Sequence, residues 1–157
     1  MPLVPVAGLL AKAEQGKYAV GAFNANNMEI VQAILKAAEL ENAPVIMQAS
    51  QGAISYAGLP FIVGLVKIAA GSSKIPVALH LDHGTDFEQV VECINGGFTS
   101  VMYDGSKLPL EENIALTVKV LELARPLGIS VEAELGKIGG TEDHVHVSKA
   151  EEMFTDP

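Results

Sequence analysis

Ile75-Pro-Val-Ala-Leu-His-Leu-Asp-His-Gly84 decides how the rest of the chain is read. The run is apolar and strand-like, carries His80, Asp82 and His83 to its end, and lets the backbone turn away at Gly84. Side chains alternate along a strand, so Ala78, His80 and Asp82 share one face while Val77, Leu79 and Leu81 share the other. His83, one step on, stands where the strand becomes a loop and can swing toward Asp82. An acid beside an imidazole at a strand end suits divalent-metal binding with proton transfer close by. The competing reading is a capped strand with a hydrogen-bonded histidine. Four other strand-like segments that end in the same style weigh against it.

Those segments are Tyr18-Ala-Val-Gly-Ala-Phe23, finishing at Asn24; Val45-Ile-Met-Gln-Ala49, ending at Ser50; Thr99-Ser-Val-Met-Tyr103, ending at Asp104; and Ile129-Ser-Val-Glu-Ala-Glu134. Helical spacing falls between them. Val6 to Gly16 opens the chain, and Ile30, Val31, Ile34, Leu35 and Ala38 follow a cap at Asn26 or Asn27. Ile62, Leu65, Val66 and Ala69 mark another helix, and Phe87, Val90, Val91 and Ile94 the next. Glu111 to Leu127 reads as a long helix with Ile114, Val118 and Leu121 inward. Gly136 to His144 is too glycine-rich and polar for a core element, and Ser148-Lys-Ala-Glu151 reads as a capping box. Alternation at roughly 25 to 30 residues per unit predicts right-handed βαβ units around a parallel sheet.

Fixing one face of each strand by parity brings together Ala22 and Asn24, Gln48 and Ser50, His80 and Asp82, Met102 and Asp104, Glu132 and Glu134. The opposite parity is mostly apolar, as expected beneath covering helices. Each strand thus delivers a polar group at its carboxyl end, where a parallel barrel builds catalysis and an open doubly wound sheet binds ligands. No Gly-x-Gly-x-x-Gly turn follows the first strand, which argues against a dinucleotide. Asp82, Asp104, Glu132 and Glu134 would crowd one mouth. Burying an ion costs on the order of several kcal/mol, so four such penalties rival a whole domain's stability of about 5–15 kcal/mol. Either water or a cation must compensate, and His83 favours a divalent metal.

With 157 residues, 49% of them hydrophobic, the chain is large enough for one cored domain. No apolar run approaches the ~18 residues of a membrane span, and no secretory signal is expected. Cys93 is the single cysteine, which excludes an internal disulfide and fits a reducing cytoplasm. A net charge of −9 argues against nucleic acid or an anionic membrane as partner. A phosphate would need backbone N–H groups or a few lysines.

The chain resembles the class II, metal-dependent ketose-bisphosphate aldolases. The carriers are Val20-Gly-Ala-Phe-Asn24, Pro44-Val-Ile-Met-Gln-Ala-Ser50, Leu79-His-Leu-Asp-His-Gly84, Gly97-Phe-Thr-Ser-Val-Met-Tyr-Asp-Gly-Ser106, and Val131-Glu-Ala-Glu-Leu-Gly136 followed by Gly139-Gly-Thr-Glu-Asp143. The resemblance implies a TIM (β/α)8 barrel, a divalent metal (zinc or another), and room for a monovalent cation. It implies reversible cleavage of fructose 1,6-bisphosphate, or of its tagatose isomer, to dihydroxyacetone phosphate and glyceraldehyde 3-phosphate, in a cytoplasmic homo-oligomer, dimer or tetramer. By the same match His83 is a metal ligand, Asp104 and Glu134 support the metal or offer it a second seat, and Asn24 and Ser50 contact substrate. Asp82 exchanges a proton with the C4 hydroxyl, and Glu142 abstracts one from dihydroxyacetone phosphate. His80 is expected to be a hydrogen-bonded interior residue, and Cys93 a small buried hydrophobe.

Such a barrel usually needs about 250 residues. Residues 1–157 are therefore expected to be the N-terminal portion of a single barrel, its first five βα units, inactive alone. Two rivals stay open: a phosphosugar isomerase or epimerase using the same carboxylates, and a non-catalytic half-barrel that associates with a complementary chain.

Overall fold

The structure, a computed structural model, describes residues 3–136, 140–142 and 145–147. Helix α1 (Val6–Gly16) leads into strand β1 (Gly21–Asn24), α2 (Met28–Leu40), β2 (Val45–Ser50), a short α3 (Gln51–Ala57) and α4 (Leu59–Ser72). Then follow β3 (Val77–Gly84), α5 (Phe87–Gly96), β4 (Ser100–Tyr103), α6 (Leu110–Ala124) and β5 (Ser130–Ala133). Strands β6 (Gly140–Glu142) and β7 (Val145–Val147) make a separate antiparallel pair.

The five main strands are all parallel, and their order across the sheet is their order along the chain. A doubly wound sheet reverses direction at a switch point. Every crossover here steps one strand the same way, which is the winding of a (β/α)8 barrel. Five of its strands, with the four helical crossovers that join them, are present among the described residues.

Odd-numbered strand residues face the helices. Val45, Met47, Leu79, Leu81, Val101 and Tyr103 pack with Leu35, Ile62, Val66, Val90, Cys93 and Val120 in one continuous core. Each fully buried side chain of this kind contributes about 1.5–3 kcal/mol, so this layer holds the sheet together. Even-numbered residues face inward, and α1 forms a floor beneath them. Val6 and Leu9 pack on Ile46 and Ala78, and Ala7 donates its N–H to Ser130 Oγ at 2.9 Å. That largely apolar floor closes the amino end of the inner face, and the charged groups that cluster on this face lie nearer the carboxyl ends of the strands.

Local chemistry sets the element ends. Asn27 Oδ1 accepts from Ile30 N–H at 2.9 Å to start α2, and Asp86 Oδ1 accepts from Gln89 N–H at 2.9 Å to start α5. Pro126 shortens the long helix, leaving one 3-10 turn at Arg125–Leu127.

Two features depart from the sequence reading. Helix α3 was not anticipated: it has seven residues, includes Gly52, and buries only Ala53 and Ile54. The inward face of α6 is displaced, with Asn113, Val120 and Ala124 buried while Ile114 and Val118 are 48% and 45% exposed. Glycine-rich residues 140–142 form a strand of the outlying pair and take no part in the five-stranded sheet, in keeping with the expectation that this stretch is no core element. The Ser148-to-Glu151 capping box lies outside the described residues. No single helix among the described residues is long and apolar enough to cross a membrane.

Strands β1 and β5 each pair on one side only among the described residues. Beside β1 runs an apolar groove of about 450 Å³, lined by Phe23, Ala33, Ile34, Ala37 and Pro44.

A Cβ at Gly84 would stand 2.6 Å from the Met102 carbonyl oxygen and 2.7 Å from Val90 Cγ2. Gly84→Ala is expected to destabilise the chain by about 1–3 kcal/mol through overpacking. Urea unfolding checks this, and an unmoved midpoint would contradict the tight fit.

Candidate functional site

Strand β3 breaks its own alternation at the carboxyl end. Leu81 pairs with Val101 and Gly84 with Tyr103, so three steps along β3 match two along β4. The extra residue is a bulge. Within it His83 has φ +49°, in the left-handed region. Left-handed backbone costs a non-glycine residue about 1–2 kcal/mol, although histidine is among the types found there most often. The bulge turns Gly84 toward the helix layer, where its closest neighbours include Val90 and Leu81. His83 is left to turn inward beside Asp82. Two successive residues thereby serve one mouth, which a regular strand forbids.

His83 Nδ1 lies 3.2 Å from Asp104 Oδ2 and 3.7 Å from Glu134 Oε2. These three residues each offer a ligand atom within 4.8 Å of the others. Burial by itself would lower the His83 pKa; its hydrogen bond to Asp104 and the charges of Asp82 and Glu134 outweigh that and raise it. Burial by itself would raise the Asp104 pKa, but hydrogen bonds from Ser106 and the His83 contact hold it below the usual range. Ser106 N–H donates to Asp104 Oδ1 at 3.0 Å. The Asp104 side chain is 3% exposed and that of Glu134 19%.

One imidazole nitrogen and two carboxylates fit a divalent cation of the zinc type in donor chemistry and charge. Such an ion would take the place of the proton shared at His83 Nδ1.

The other expected site residues stand around this cluster. Asn24 Nδ2 donates to Asp82 Oδ2 at 2.9 Å, fixing that carboxylate. Ser50, opposite Asp82 in the β2–β3 register, caps α3, its Oγ accepting from Ala53 N–H at 3.3 Å. Glu142 lies in β6, and its side chain is outside the described set, as is all of His144.

Glu132 does not join the acids at the rim. It stands one layer lower with His80, whose Nε2 is 3.4 Å from Glu132 Oε2 and whose Nδ1 is 2.8 Å from Ser100 Oγ. Glu132 is 58% exposed on its side chain, so its charge is largely solvated. The crowding of four acids is in this way relieved by geometry: Asp104 alone of them is buried. His80 is a hydrogen-bonded interior residue, as expected. Cys93 is buried on α5, and burial, helped by Glu92, pushes its thiol up to about 12.

Two supporting residues escaped the sequence reading. Gln51 Nε2 donates to the His83 carbonyl at 2.7 Å. Buried Asn113 donates from Nδ2 to the Glu134 carbonyl at 2.9 Å. The available signal for Asn113 was a polar residue on a helix face; for Gln51 it was a polar side chain following Ser50 at a strand end.

The family described as "Fructose-bisphosphate aldolase class-II" matches residues 4–157. A probable fructose-bisphosphate aldolase of Bacillus subtilis (strain 168) is 53% identical over 148 residues, covering 92% of this chain and 52% of the relative. A fructose-bisphosphate aldolase of Staphylococcus aureus (strain Mu50) is 51% identical over 150 residues, with the same coverage of each. The chain thus spans about half the length of these relatives. Among solved structures, the YdjI aldolase of Escherichia coli K12 aligns with TM-score 0.81 and 33% identity, over 85% of this chain and 52% of that one. A putative fructose-1,6-biphosphate aldolase from Coccidioides immitis aligns with TM-score 0.82 and 32% identity, over 95% and 52%.

Burial lowers the His80 pKa below its ordinary 6.5, with Glu132 and Asp82 opposing and His83 adding to the shift. The unfolded chain therefore takes up this proton first as pH falls. The stability His80 contributes is present above its unfolded value and lost as pH drops through its folded one. Metal-free chain should lose more unfolding free energy between about pH 7.5 and 5.5 than His80→Asn does. His83 acts in the opposite sense, and parallel profiles for the two chains would contradict the assignment.

Proposed function

The chain belongs to the class-II fructose-bisphosphate aldolase family, and from that membership we propose that the protein containing this half-barrel reversibly cleaves fructose 1,6-bisphosphate. The products are dihydroxyacetone phosphate and glyceraldehyde 3-phosphate, a reaction of glycolysis and gluconeogenesis. The observation that carries the reading is the convergence of Asp82, His83, Asp104 and Glu134 at the carboxyl end of the sheet, made possible by the bulge in β3.

His83, with Asp104 and Glu134, would hold a divalent cation, zinc first among them. When bound it supplies a Lewis acid for the oxygen that gains charge as the C3–C4 bond breaks. Asp82, aimed by Asn24, takes the proton of the C4 hydroxyl as that carbon becomes the aldehyde, and returns it in condensation. Glu142 removes a proton from the hydroxymethyl carbon of dihydroxyacetone phosphate in the condensation direction. Gly136, at φ +77°, gives the segment that carries Glu142 a backbone pivot. None of the described strands carries a lysine, which leaves the Schiff-base route without a nucleophile in the sheet.

Residues 1–157 act in this reading as the first five βα units of one barrel. Further strands pair with the open sides of β1 and β5, and a helix from the remaining units covers the groove beside Phe23. The buried Cys93 thiol is at home in the cytoplasm.

The chain alone is expected to show no aldol cleavage, and supplying the remaining units should restore it. A chelator should abolish the restored activity and zinc should return it; cleavage that survives chelation would defeat the metal reading. In the complete enzyme, Asp82→Ala should cut turnover by about 10²- to 10⁴-fold while zinc stays bound. Loss of zinc instead would reassign the residue. Glu142→Ala should slow deuterium exchange into dihydroxyacetone phosphate, and an unchanged rate would remove it from the mechanism.

A further inference from the structure

We infer that Gln51 is a positioning residue for metal binding: its side-chain amide locks the left-handed backbone of His83. Gln51 Nε2 donates to the His83 carbonyl at 2.7 Å and to Thr85 Oγ1 at 2.9 Å, bridging both sides of Gly84. The β3–β4 pairing skips a step between Leu81 and Gly84, and resumes where Asp104 N–H donates to the Gly84 carbonyl at 3.0 Å. Gln51 thus supplies a donor at the point where the extra residue interrupts the sheet.

The clamp is itself held firmly. Gln51 is the first residue of α3; Ser50 caps the helix beneath it, and buried Ala53 and Ile54 seat the helix in the core. Ser50, the last residue of β2, is in register with Asp82, so the donor follows directly on the end of the strand adjacent to the residue it acts on. Without the clamp, His83 is expected to relax to extended backbone. Strand alternation would then carry its imidazole away from Asp104 and Glu134. Helix α3 is accordingly part of the site's scaffold, although Gln51 touches no ligand atom.

This inference rests on reading His83 as a metal ligand, so the test has two readouts on the 157-residue chain. One is zinc affinity, by competition with a chromophoric chelator. The other, in the metal-free protein, is the amide-to-Hα coupling and intraresidue NOE that report positive φ at His83. Gln51→Met keeps the side-chain length without the donor. Gln51→Glu keeps the shape but sets an acceptor against the carbonyl. Thr85→Ala removes only the second contact. Both Gln51 variants should weaken zinc binding by about 10- to 100-fold and lose the positive-φ signature, while Thr85→Ala keeps both at wild-type values.

A Gln51→Met chain that keeps either the affinity or the signature overturns the inference. If the wild-type chain binds no zinc, the ligand reading of His83 fails, while loss of the signature in Gln51→Met would still establish the clamp. Should Gln51→Met unfold, Gln51→Glu decides by the same readouts; unfolding of both would show a global folding role and overturn the local one.

Discussion

Successive residues of a β-strand point to opposite faces, so a strand cannot ordinarily offer an acid and its neighbouring histidine to the same pocket. Strand β3 escapes that rule by carrying one residue more than β4 between two ladder contacts. The rest of the site depends on this local excess. It turns Gly84 into the helix layer, gives His83 its left-handed backbone, and leaves Asp82 and His83 side by side facing Asp104 and Glu134. The backbone cost falls at one residue, and the surrounding contacts hold it in place. Strain kept where neighbouring structure over-determines it is a common property of functional sites.

The inner face of the sheet is layered by polarity. Helix α1 closes its lower end with Val6 and Leu9, His80 with Ser100 and Glu132 fills the middle, and the acids and His83 form the rim. Each layer limits the next. A largely apolar floor carries no charged side chain, a neutral imidazole bridges without adding charge, and the rim concentrates anionic groups where water or a cation can reach them. The outer face is a continuous apolar layer under helices α2 to α6, so strand parity separates function from cohesion everywhere except at the bulge.

Much of this was legible in the residues. Parity placed Asn24, Ser50, Asp82, Asp104 and Glu134 at one rim because a strand has a period of two and β1, β2, β4 and β5 keep it. The same reasoning put Glu132 at the rim, where the structure seats it a layer down beside His80. The bulge was not legible: a histidine at positive φ leaves no compositional mark of the kind a glycine would. Helix α3 escaped because seven residues with a glycine and two buried side chains give too little periodicity to read. The α6 face was misassigned because Ile114 and Val118 look like core residues, yet Asn113 turns inward to hold the Glu134 carbonyl. A polar residue chosen for a backbone contact defeats any reading based on hydrophobicity.

Strand order that copies chain order also governs how the sheet can assemble. Each new strand finds its partner in the one made just before it, so no strand need wait for a distant segment. Growth from the N-terminus during synthesis can therefore build β1 to β5 as a template in sequence. Any strands made later would meet a prepared edge at β5, and would have to reach round to β1 to complete the circle.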